Sequence, residues 1–201
     1  MSLVSLALVI LVVCVTQQIA AAYSSGTYGS STYGSCDYGS VCSISLADSG
    51  NVSLNVTPTV AGSCTVQSDS VSVLTDDANG YILTLTAGTT NTSLVSGSNT
   101  IPVGSGTRIT PLALTSDTWG YRTDGVGGFG NGPTTAKSNV AMNSTVFAAL
   151  LPSNSAGDMI ASSTSQADPA VSTTVWYGVC ANTLAASGSY STQVMYTAVV
   201  N

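Results

Sequence analysis

The run "NVSLNVTPTVAGSCTVQSDSVSVLTDDANGYILTLT", residues 51–86, sets apolar residues at every second position, in short bursts broken by turn-forming residues. A period of two matches the pleat of a β-strand and no face of a helix. "VSLNVT" alternates strictly, with Val52, Leu54 and Val56 on one side. "SVSVLTDDANGYILTLT" predicts a β-hairpin: Val71 and Val73 mark one arm, Leu83 and Leu85 the other, and Asn79 and Gly80 tolerate the positive φ of a tight turn. Further strands are expected at Ser93–Val95, Asn99–Val103, Thr118–Thr123, Ser144–Leu150, Ser172–Cys180 and Tyr190–Val200. This many short strands, with no convincing helix among them, predicts a mainly β fold: an antiparallel, Ig-like β-sandwich over residues 41–201. "DGVGGFGNGP", from Asp124 to Pro133, is too rich in glycine for a strand interior and is expected to be a long loop. With Asp124 and Asn131 it has the outline of a Ca²⁺ loop, but one carboxylate is thin for calcium. Trp119 and Trp176 sit in strand contexts, where core packing is the first expectation and a ligand platform the second.

Residues 1–22 are of another kind. They carry no charge, and Leu3 to Val15 is almost wholly apolar. As a helix the segment would span about 33 Å, enough to cross a bilayer core. The expectation is one long N-terminal hydrophobic α-helix, in which Leu3, Val4, Leu6, Leu8, Val9, Ile10, Leu11, Val13 and Ile19 form a polymerisation surface and Cys14 acts as a small hydrophobe. Two fates stay open for it. A cleaved secretory signal fits the apolar length and the small residues of "QIAAA", but there is no Lys or Arg before Arg108 to supply a positive n-region. A retained helix, with Met1 as a processed terminus, is the other. Between helix and sandwich, residues 23–40 form a Tyr/Gly/Ser linker. In it Tyr28, Tyr33 and Tyr38 recur every five residues, a spacing that suits neither helix nor strand.

The charge inventory narrows function. The chain has three cations (Arg108, Arg122 and Lys137), nine Asp, no Glu and no His, and a net charge of −6. Three scattered cations cannot displace the counterions of a phosphate backbone, so nucleic acid is excluded as a partner. Without His or Glu the usual general acids and bases are missing, together with the triads and zinc motifs built on them. The chain is therefore read as a non-enzyme with no metal and no cofactor. Asp76 and Asp77 are read as a solvated turn.

Beyond Cys14, the four cysteines Cys36, Cys42, Cys64 and Cys180 form an even set without CxxC knuckles or His, which favours two disulfides over zinc. The pairing favoured is Cys36 with Cys42 and Cys64 with Cys180, the alternative being Cys36 or Cys42 with Cys180. Disulfides imply an oxidising space. N-x-[ST] triplets at Asn51, Asn55, Asn91 and Asn143 are candidate glycosylation sites.

The apolar head followed by a β-domain resembles type IV pilins, which keep such a helix and pack it in a filament core. It departs from the bacterial pattern at Ser5, where those pilins carry Glu. "GNVSLNVTPTVAGSCTVQSDSVSVLTDDANGYILTL", "TWGYRTDG" and "TTVWYGVCANTLAASGSYSTQVMYTAVVN" resemble the β-rich secreted surface proteins of candidate-phyla (Saccharibacteria-type) bacteria. These resemblances imply a structural subunit of an extracellular, cell-surface, pilus-like filament serving attachment. Its partners would be copies of itself in a helical homopolymer, a host-cell surface or glycans, and the membrane before assembly. The alternative is a secreted or membrane-anchored adhesin or binding module whose signal peptide is cleaved.

Overall fold

The computed structural model describes residues 9–19, 43–133, 135–141 and 144–201. Its strands, in chain order, are β1 (Val9–Ile19), β2 (Ile44–Asp48), β3 (Val52–Val56), β4 (Ser63–Thr75), β5 (Tyr81–Ala87), β6 (Leu94–Ser96) and β7 (Asn99–Ile101). There follow β8 (Leu112–Ala113), β9 (Thr118–Thr123), β10 (Lys137–Ala141), β11 (Val146–Phe147), β12 (Asp158–Ser163), β13 (Ala167–Ala181) and β14 (Gly188–Val200). One sheet runs β12-β5-β14-β1-β3, with β6 and β7 attached beside β14. The other runs β10-β4-β13-β9, with β2 paired to β4. A small third pair, β8 with β11, is separate.

The alternation read in the sequence closes the two main sheets onto one core. Leu54, Leu83, Leu85, Tyr190, Val194 and Tyr196 come from the first sheet, and Val71, Val73, Trp119, Tyr121, Tyr177 and Val179 from the second. Each large apolar side chain so buried contributes about 1.5–3 kcal/mol. A satellite cluster lies on the other face of the second sheet, where Cys64, Val66, Trp176 and Cys180 pack with Leu114 and Phe147. Gly178 makes room for it, because a Cβ there would stand 2.5 Å from the Phe147 ring. Both tryptophans are thus buried in packing roles.

The expected N-terminal helix is not formed in the described part of that segment. Val9–Ile19 is a strand of the first sheet, and among the described residues no helix is long and apolar enough to cross a membrane. The reason lies in its own residues. Val9, Ile10, Val12, Val13, Val15, Thr16 and Ile19 are β-branched, which costs χ1 freedom in a helix and suits a pleated surface. The apolar run that suggested a membrane-length rod is equally the signature of a strand buried on both faces. Of the proposed polymerisation residues, Val9, Ile10, Leu11, Val13 and Ile19 therefore lie on β1, while Leu3, Val4, Leu6 and Leu8 fall outside the described residues.

The expected hairpin is also corrected. β4 and β5 belong to different sheets, so residues 76–80 form an arch across the core rather than a turn between paired arms. Two strands that alternate in step can pair edge to edge or face each other, and periodicity alone does not distinguish the two. The local turn chemistry is as read. The Gly80 amide donates to the Asp77 carbonyl at 3.0 Å, Gly80 has φ +83°, and a Cβ there would strike the Ser163 carbonyl.

Candidate functional site

β1 is an interior strand. It runs parallel to β14, from Val9 opposite Gly188 to Ile19 opposite Ala198, and antiparallel to β3, from Val9 opposite Val56 to Val13 opposite Val52. Among the described strands, β3 reaches its sheet only through β1. β1 thus fills a slot one strand wide, whose walls carry Val52, Leu54, Val56, Tyr190, Val194, Tyr196 and Ala198 in the core. None of β1, β3 or β14 contains a charged residue, so the slot holds its strand by ladder pairing without any charge pairing.

The two walls are tied to the opposite sheet without help from β1. On the β14 side, Asp69 of β4 is fully buried; it accepts hydrogen bonds from the Tyr196 hydroxyl at 3.0 Å, the Ser49 amide at 3.1 Å and the Ser49 hydroxyl. The Tyr177 and Tyr196 hydroxyls lie 2.7 Å apart. Burial pushes both phenols well above their ordinary range, and for Tyr196 the neighbouring Tyr177 and Asp69 add to it. On the β3 side, the Thr65 hydroxyl donates to the Asn55 carbonyl at 2.7 Å, and the Ser63 hydroxyl to that of Thr57. Satisfied buried polar groups of this kind fix geometry more than they add net stability.

Elsewhere, buried Arg122 organises the glycine-rich loop. Its guanidinium donates to the Phe129 carbonyl at 3.0 Å, to the Val146 carbonyl at 3.3 Å and to Asp124 at 3.2 Å. The carboxylate considered for calcium is therefore engaged with a cation. Tyr121 donates to Asp158 at 2.6 Å, and its phenol is raised by burial first and by that carboxylate second. Among the described residues, no three His, Cys, Asp or Glu side chains gather into a set able to hold a metal ion.

Cys64 and Cys180 form a disulfide between directly opposed positions of β4 and β13, as favoured, which rules out the pairing of Cys180 with Cys36 or Cys42. Cys36 and Cys42 lie outside the described residues, as does Asn143. Cys14 stands on β1 opposite Gln193. Asn51, Asn55 and Asn91 are exposed, and Asn91 lines a shallow groove of about 390 Å³ with Thr89, Ser93 and Gln193. Asp76 is exposed and accepts from the Ser43 amide at 2.7 Å. Asp77 is buried rather than solvated, yet it serves the turn by accepting from the Asn79 amide at 2.8 Å. No known family model and no curated protein matches the chain.

Sequence reasoning missed the Asp69 brace. Its signal was present: Asp69 sits in register with Val71 and Val73, on the face that alternation assigns to the core. Arg122 announced itself only as one of three cations, placed two residues before the glycine-rich loop.

Proposed function

We propose that the chain is a structural subunit of an extracellular homopolymer, a surface filament whose disulfide-stapled sandwich faces outward and serves attachment. The observation that carries this reading is the interior position of β1. Cleavage in "QIAAA" would remove Val9–Ile19 from the middle of a sheet and leave the edges of β14 and β3 unpaired, a state that invites aggregation. A signal peptide is discarded without harm to the mature fold; an interior strand is not. The Cys64–Cys180 bond is of the kind that persists in oxidising spaces outside the cytoplasm. A surface rich in Ser, Thr and Asn and poor in charge suits a building block more than a catalyst.

The test is negative-stain microscopy and N-terminal sequencing of the same native surface material. Fibres whose subunits begin before Val9 are expected. Single particles beginning at Tyr23 would overturn the proposal in favour of a secreted binding module.

A further inference from the structure

Resting on the filament reading, we propose that β1 is a transferable strand. In the assembled state, Val9–Ile19 of one copy occupies the slot between β14 and β3 of the next copy, head to tail along the filament.

Three observations converge on this. First, the slot is built without its occupant, since the β14 wall is braced through Tyr196 and Asp69 and the β3 wall through Thr65 and Ser63, all to β4. Second, the connection is far longer than closure within one chain requires. β1 runs on past β3 and contacts β2, the next strand in the chain, and elements that neighbour each other in this way are ordinarily joined by a few residues. Instead, residues 20–42 intervene, a stretch that when extended can span on the order of 80 Å. Third, β1 enters the sheet parallel to β14, whereas the other main-sheet strand pairs are antiparallel; it is an added strand rather than one arm of a meander.

Exchange between copies recreates the ladder pairing of the closed form, so it costs little beyond association. Because the donor strand and the slot are different surfaces, the contact is heterologous, and repetition produces an open fibre.

The full-length V12C/S53C variant tests this, because Val12 and Ser53 are directly opposed, as Cys64 and Cys180 are. Light and heavy-isotope preparations are unfolded, mixed equally and refolded together at high concentration in oxidising buffer. The linked 12–53 peptide is then read by mass spectrometry, with sedimentation and microscopy of the same sample. The expected result is fibres in which about half of the linked peptides pair a light with a heavy chain, the random share for links between copies. Fibres with only same-isotope links would overturn strand transfer and leave the filament reading standing. Same-isotope links with no fibres would overturn both. T16C/M195C gives the same readout against β14, should the first variant fail to refold.

Discussion

The centres of the two sheets are built alike and secured differently. In the second sheet, β4 and β13 pair antiparallel from Ala167 opposite Thr75 to Ala181 opposite Ser63, and a disulfide locks them near one end. In the first, β14 and β1 pair parallel over a similar length, from Val9 opposite Gly188 to Ile19 opposite Ala198. The bond in the second sheet spans 116 residues of sequence, so that half resists coming apart even when the chain is strained. β1 is held in register by its ladder pairing to β14 and β3, which on the strand-transfer proposal another copy supplies. On that proposal the disulfide-locked pair stays together while the β1–β14 pair changes partners.

That contrast can be broken from either side. The largest effect is expected for removing the covalent lock. The C64A/C180A variant should lose about 5 kcal/mol on the chain-entropy estimate, read from denaturant midpoints. Its strand-transfer links should be unchanged wherever it is folded. Next, V13P should cost about 3 kcal/mol or more, because the ring removes a ladder donor from an interior strand. Hydrogen exchange should quicken in β3 and along the β14 edge, while β4 and β13 keep their protection. Tyr196→Phe should cost about 2 kcal/mol by leaving Asp69 and Tyr177 each short of a partner, and should loosen the β14 wall with β1 still present.

The smallest effect near neutrality is that of pH. The buried phenols of Tyr121, Tyr177 and Tyr196 are raised in the folded state, whereas unfolded tyrosines titrate near 10. Their contribution is therefore complete below about pH 10 and falls as pH rises above it, by up to about 1.4 kcal/mol per pH unit for each phenol. Phenolate absorbance from these three should appear with unfolding, not before it.

How much of this was legible in the sequence follows from what a strand pattern encodes. Alternation identified which residues face the core at Val52, Leu54, Val71, Val73 and Leu83, and it placed β9 at its observed limits. It could not say whether β4 and β5 pair or face one another, since both arrangements bury the same side chains. The evenness of the cysteine set and their placement on strands pointed to Cys64 with Cys180. The apolar head was read by length and hydropathy, which suit a membrane helix and a doubly buried strand alike; its β-branched residues were the discriminating feature and were given too little weight. The slot was not legible at all. It exists only because β3 and β14, more than a hundred residues apart, come to stand on either side of β1.

The most direct test of the central claim, that Val9–Ile19 is a retained interior strand of the working protein, is hydrogen–deuterium exchange on native assembled material. The account predicts that peptides covering Val9–Ile19 are present and exchange as slowly as those of β14. Their absence from the mature chain, or exchange at the rate of an unstructured peptide, would contradict it.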